Sequence, residues 1–179
     1  MTDTIIRDAA PKDARLVARF ISELATYERL AHEASPREEA LRAHLAEDAN
    51  PRLYGLIAEA NGLPVGFAVY YFVYSTFETN WGLYLEDIYV DEKYRSYGIG
   101  RELFRRLGAV AKEKGCTRLD FNVLDWNVNA KAVYHKLGAV AHAGWTQMRF
   151  TGEALAKLAD NKNPGGHGPK PGWWYSAHL

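Results

Sequence analysis

The 179-residue chain holds a single cysteine, Cys116. One thiol cannot form an intrachain disulfide, which sets aside the small disulfide-stapled folds and points to a reducing, cytoplasmic compartment. Neither sign of charge is in excess: 22 Lys and Arg face 22 Asp and Glu. A dedicated nucleic-acid binder normally carries a basic excess, so no nucleic-acid partner is expected, although a local basic groove for a nucleotide stays open. No apolar run approaches the ~20 residues that cross a bilayer, and residues 1–7 lack a signal-peptide pattern. No membrane partner is expected either. The six histidines show no metal-ligand spacing, and no metal is expected.

What is present describes a globular domain with a sizeable core. Hydrophobic residues make up 47% of the chain, enough for a folded core rather than a disordered segment. One domain over residues 1–160 is predicted. Residues 161–179 then turn to Gly, Pro and Lys and close on Trp173-Trp174-Tyr175. This stretch reads as a flexible or appended tail. The alternative is an aromatic end that docks on a groove or a partner subunit.

Periodicity outlines the elements. Thr4–Arg7 is predicted as a first strand. Pro11 suits a first helical turn, and Leu16, Val17, Phe20, Ile21 and Leu24 then recur at helical spacing to about Tyr27. Ser35-Pro36-Arg37-Glu38 matches a capping box and predicts a second helix to about Leu45. Tyr54–Glu59 and the aromatic-rich Val65–Tyr74 form a hairpin around Asn61-Gly62. Leu83–Val90 reads as a strand, Arg101–Lys114 as a helix stopped by Gly115, and Arg118–Leu124 as a strand. Asn127 caps a helix that ends at Gly138. Gly144–Phe150 is a candidate last strand, and Gly152–Leu158 a short final helix. The order predicts an α/β sandwich with a mixed sheet.

Between the strand Leu83–Val90 and its helix lies Arg95-Ser96-Tyr97-Gly98-Ile99-Gly100. Glycines let backbone approach a ligand closely, and first-turn N–H groups point at an anion. Arg95 adds a fixed positive charge. A dinucleotide fingerprint would want a third glycine at position 103, where Leu103 stands. Arg-x-x-Gly-x-Gly is the other reading, the pyrophosphate loop of acetyltransferases.

With Tyr84-Leu85-Glu86-Asp87-Ile88-Tyr89-Val90 and Tyr94-Arg95 ahead of it, this loop resembles the GNAT acyltransferase superfamily. Tyr27-Glu28, Tyr74-Ser75-Thr76, Lys114-Gly115-Cys116, Leu124-Asp125-Trp126-Asn127 and Leu137-Gly138-Ala139 agree. Within the superfamily the chain looks like the diamine acetyltransferases, closest to their thialysine branch, over about Ile5 to Leu158. Two departures stand out: Ser96 where the family usually has Gly, and Phe77 where its eukaryotic members usually have Trp. If Ser96 needs an unusual backbone angle, cofactor affinity suffers.

The resemblance implies a GNAT fold, a mixed, largely antiparallel sheet flanked by helices, and a homodimer. It implies acetyl-CoA as co-substrate and direct transfer to a small aliphatic amine. A thialysine- or lysine-like amino acid or a diamine heads the list, with spermidine or spermine as the alternative. The acceptor arrives mostly as ammonium, since an alkyl amine has a pKa of about 10.4, so a base is needed. The family resemblance selects Glu86 for that role, acting through water; strand alternation places Asp87 on the opposite face. Tyr134 is the candidate acid for the departing thiolate, which has a reference pKa of about 8.5. Its phenol is the weaker acid, so losing it slows turnover rather than abolishing it. The cofactor is expected along Ile88, Tyr89 and Val90, at the loop Arg95, Ser96, Tyr97, Gly98, Ile99, Gly100 and Arg101, and at Asn127, Asn129, Ala130 and Lys136. The acceptor is expected at Tyr27, Glu28, Glu86, Asp120, Phe121 and Asn122. Cys116 reads as buried filler rather than a nucleophile. A non-catalytic acyl-CoA sensor is the rival of another class; the presence of both Glu86 and Tyr134 argues against it.

Overall fold

The computed structural model describes residues 3–45 and 52–159, so the expected tail at 161–179 lies outside the described residues. The chain forms two units, residues 1–132 and 133–179. The first carries β1 (Thr4–Asp8), α1 (Ala14–Tyr27), α2 (Glu38–His44), β2 (Tyr54–Ala60), β3 (Leu63–Ser75), β4 (Asn80–Val90), α3 (Ile99–Glu113) and β5 (Arg118–Phe121). The helix α4 runs Val128–Lys136, and the second unit also holds α5 (Gly152–Ala159).

The five strands make one sheet in sequence order. β1 to β4 pair antiparallel, and β4 with β5 pairs parallel. This is the mixed, mostly antiparallel sheet that the resemblance implies. A dinucleotide-binding unit would need a parallel sheet. Leu103, at the place of the missing third glycine, is instead a fully buried core residue.

Each face of the sheet carries its own apolar layer. On one face, Leu56, Leu83 and Leu85 pack with Ile99, Leu103 and Leu107 of α3. On the other, Ile57, Phe67 and Val69 pack with Val17, Phe20 and Leu24 of α1. Phe20 stacks on Phe67 with centroids 5.5 Å apart. The start of α1 is pinned by Arg7, which donates to both carboxylate oxygens of Asp13 at 2.8 and 2.9 Å and to Glu59 at 2.7 Å. The Arg7 guanidinium holds the Asp13 carboxyl below its ordinary range. Gly66 lies where a Cβ would meet the Tyr89 carbonyl oxygen at 2.7 Å, so β3 and β4 approach closely only with glycine there.

Several boundaries differ from expectation. Pro11 opens a 3₁₀ turn, Pro11–Asp13, and the α-helix follows it. Ser35 caps nothing: Arg37 is extended at φ −103°, and α2 begins at Glu38. Glu38 and Glu39 then sit in the first turn, where carboxylates suit the helix N-terminus, and Glu38 pairs with Arg42 one turn on. β5 stops at Phe121 rather than Leu124, where its pairing with β4 ends. Residues 144–150 form no strand; Trp145, Met148 and Phe150 are exposed, and no neighbouring strand among the described residues supplies the ladder a strand requires.

Candidate active site

The register between β3 and β4 skips one residue. Ala68 faces Ile88 and Val69 faces Asp87, but Tyr70 then faces Leu85. Glu86 is the extra residue of a β-bulge. The bulge reverses the parity of β4. Leu83 and Leu85 enter the α3-side core, and after the bulge Ile88 and Val90 do so. Asp87 is directly opposite Val69, a member of the α1-side layer, and therefore shares that face. Glu86 accepts a hydrogen bond at 3.2 Å from Tyr71, whose strand neighbours Tyr70 and Phe72 both join the α3-side core. Tyr71 and Glu86 thus belong to the α1 side. The expectation that Asp87 turns away from Glu86 is overturned, because simple alternation fails across a bulge. Both carboxylates face α1.

Their surroundings differ. Glu86 is exposed. Asp87 is half-buried, and burial pushes its carboxyl up to about 6, with the charges of Glu86 and Glu28 adding to the shift. Glu28 caps the C-terminal end of α1, and burial raises its carboxyl as well. An acidic face of this kind suits a cationic acceptor.

The bulge also marks where β4 loses its second neighbour. Pairing with β5 runs only from Gly82–Arg118 to Leu85–Phe121. Past it, residues 86–90 continue without a β5 partner, and the last three of them, Ile88, Tyr89 and Val90, are those along which the cofactor is expected. Asn122, just beyond β5, donates to the Tyr84 hydroxyl at 2.8 Å. Asp120 is held by Arg118 at 2.6 Å, and Phe121 packs edge-on against Phe104 of α3 at 5.7 Å. Asn122 is thereby tied to a side chain of the Glu86 face, and Asp120 stands opposite Tyr84 in the β4–β5 register.

At the loop, Gly98 takes φ +86° as N-cap of α3. The first intrahelical bond comes from the Glu102 N–H to the Gly98 carbonyl, so the N–H groups of Ile99, Gly100 and Arg101 make up the first turn, where donors are available to an anion. Tyr97 is exposed. Arg95 binds the Val90 carbonyl through Nε at 3.0 Å, and its guanidinium lies 4.5 Å from the Tyr27 ring centroid and 5.7 Å from that of Tyr89. It ties the loop to the ends of β4 and α1. Tyr27 in turn packs on Trp126 at 6.1 Å, with the Arg29 guanidinium 5.6 Å from the Trp126 ring. Sequence reasoning misses Trp126, Tyr71 and Tyr84 as site residues: the contacts of Trp126 with Tyr27 and Arg29, and the cross-strand contacts of Tyr71 and Tyr84, reveal them.

Ser96 does need the unusual angle, with φ +68°. A left-handed residue with a Cβ costs about 1–2 kcal/mol, part of which a glycine returns through its larger unfolded freedom. Ser96→Gly is therefore expected to stabilise the protein by roughly 0.5–1 kcal/mol, raising Tm by about 2–3 °C in a thermal melt. A lowered Tm would show that the serine side chain holds the loop by some other means.

Asn127 is buried, and its Oδ1 accepts from the Ala130 N–H at 3.2 Å, so it caps α4 as expected. Asn129 and Ala130 lie in the first turn of α4. Tyr134, half-buried, and Lys136, exposed, lie toward its C-terminal end, in the second unit. Cys116 is half-buried against the α3-side core, and burial raises its thiol, which suits filler rather than a nucleophile. Among the described residues no cluster of His, Cys, Asp and Glu could hold a metal ion, and no helix is long and apolar enough to cross a membrane.

Comparison with known proteins places this geometry. Residues 18–139 match the acetyltransferase (GNAT) family. The chain is 42% identical over 170 residues to thialysine N-epsilon-acetyltransferase of Mus musculus, covering 89% of this chain and 99% of the relative. It is 37% identical over 167 residues to a spermidine/spermine N(1)-acetyltransferase-like protein of Homo sapiens, covering 86% of this chain but 23% of that larger protein. An integron cassette protein from the mobile metagenome of V. cholerae has a similar structure, with a TM-score of 0.71 at 28% identity over 87% of this chain and 97% of the other. With the mixed sheet, the bulged β4 and the glycine loop at α3 in place, the chain belongs to the GNAT family and is an N-acetyltransferase.

Proposed function

We propose that the protein transfers an acetyl group from acetyl-CoA to the primary amine of a small aliphatic acceptor, a thialysine- or lysine-like amino acid or a short diamine. The observation that carries this reading is the β4 bulge. It sets Glu86 and Asp87 on one face, beside the strand end that runs into the glycine loop. Acidic groups there attract an ammonium, and one must then take its proton before the nitrogen can attack.

In this reading Glu86 acts as base, directly or through a water, and the amine nitrogen attacks the thioester carbonyl carbon. The C–S bond breaks as the tetrahedral intermediate collapses, and the thiolate leaves with a proton supplied by Tyr134. That role for Tyr134 rests on phenol chemistry and on the family resemblance. The α3 N-terminus, with Gly98 in the left-handed region and three first-turn N–H groups, fits a pyrophosphate, and Asn127, Asn129 and Ala130 at α4 are proposed to meet the same co-substrate. Tyr27, Glu28 and Asn122 are proposed to contact the acceptor. Polyamine acetylation is the second reading, favoured by the likeness to the human protein.

Thiol release measured with thialysine, lysine, putrescine, spermidine and spermine tests the assignment. Preference for thialysine or lysine is expected. Preference for spermidine moves the protein to the second reading, and binding of acetyl-CoA without thiol release for any amine defeats both.

A further inference from the structure

We propose that Tyr71 is a positioning residue for the general base: its phenol, anchored by the facing Tyr84 of β4, holds the Glu86 carboxylate at the bulge. The inference rests on the reading of Glu86 as that base. A bulge residue has no directly opposed residue on the neighbouring strand, and the Glu86 side chain is exposed. Left to itself, a glutamate in that setting samples several rotamers. A base must be aimed at its proton to within hydrogen-bonding distance.

The restraint comes from β3. The Tyr71 hydroxyl donates to Glu86 Oε2 at 3.2 Å. That is long for an O–H···O bond, so the phenol limits where the carboxylate goes more than it neutralises it. The Tyr71 ring is itself fixed. Its directly opposed residue on β4 is Tyr84, stacked at 5.2 Å with 30° between planes. The Tyr84 hydroxyl is held in turn by Asn122 at 2.8 Å. An unbroken series of side chains therefore runs from Asn122, just past β5, through Tyr84 of β4 and Tyr71 of β3 back to the bulge. Burial, then the Glu86 charge, pushes the Tyr71 phenol up to about 12, so it stays protonated and remains a donor throughout the working range.

A residue that aims a base acts on the chemical step rather than on binding. Tyr71→Phe keeps the ring and the stack and removes only the hydroxyl. It is expected to lower kcat about tenfold with KM for the amine unchanged within about twofold. Tyr84→Phe, which removes only the Asn122 anchor, is expected to lower kcat about two- to threefold in the same manner. The deciding measurement is a double-mutant cycle with Glu86→Gln. If Tyr71 works through Glu86, Tyr71→Phe has no further effect on kcat once the carboxylate is gone. Equal slowing in both backgrounds, a change in KM alone, or an unchanged kcat overturns the proposal. Failure of the underlying reading is seen separately, as a Glu86→Gln enzyme with near-normal kcat. Melting temperatures of all variants identify loss through unfolding, and a Tyr71→Phe chain that does not fold leaves Tyr84→Phe, in both backgrounds, to decide the same question.

Discussion

Glu86→Gln is expected to lower kcat for amine acetylation by about 10²- to 10³-fold and to leave Tm nearly unchanged. General-base assistance is worth about 10²–10⁴ in rate, and the upper part of that range applies where no second group can take the proton. Here a second carboxylate, Asp87, shares the face, so the loss is placed in the lower part. Stability is spared because Glu86 is exposed and its Tyr71 contact survives with an amide oxygen as acceptor. The measurement is thiol release at saturating acetyl-CoA and amine over a range of pH. A kcat within a few-fold of the parent protein would remove Glu86 from the mechanism. If Asp87→Asn then caused the loss, the base would be the half-buried neighbour, whose carboxyl is already raised to about 6.

That such a choice arises shows where sequence reasoning stops. The apolar spacing of Leu16, Val17, Phe20 and Leu24 locates α1 because burial on a 3.6-residue period leaves a mark in residue type. The hairpin at Asn61-Gly62 and the glycine loop are legible for the same reason: Asn61, Gly62 and Gly98 all take positive φ. A bulge leaves no such mark. Leu83, Leu85 and Ile88 are all apolar, and nothing in their order says that Glu86 is the inserted residue. Tyr71 and Tyr84 belong to aromatic-rich strands in which each ring has an apolar role available, so their hydroxyl contacts emerge only with the register. The expected strand at 144–150 failed in the opposite way. Its residues suit a strand, but strand formation depends on a partner, which one segment's composition does not reveal. Ser96 lies between these cases: the mismatch with the family pattern was visible, while the backbone angle that gives it a cost was not.

Asp87→Asn is expected to stabilise the folded protein by up to about 3 kcal/mol above pH 7, by about 0.5 kcal/mol near pH 4, and by almost nothing below about pH 3. The carboxyl shifts from its ordinary 3.8 to about 6 in the folded state, chiefly through burial, with the charges of Glu86 and Glu28 acting in the same direction. Each pKa unit corresponds to about 1.36 kcal/mol, so the difference between 3.8 and about 6 sets the upper limit at about 3 kcal/mol. The sign follows from proton counting. Between about pH 4 and pH 6 the folded chain binds more protons at this site than the unfolded chain, so stability falls as pH rises through the window. Below it the carboxyl is neutral in both states, and the amide gains nothing. Above it the aspartate is ionised in both states, but the folded state keeps that charge in a half-buried position beside two others. Denaturant unfolding of both proteins at pH 4, 5, 6 and 7.5 measures the difference directly. A gap that opens with pH supports a half-buried charge maintained at a cost in stability, as expected of a group that binds an ammonium rather than one that only packs. A gap independent of pH would mean that asparagine merely packs better. A gap of the opposite sign would mean that Asp87 makes a favourable ionic contact in the folded protein, and the acidic face would then lose its half-buried member as an acceptor site.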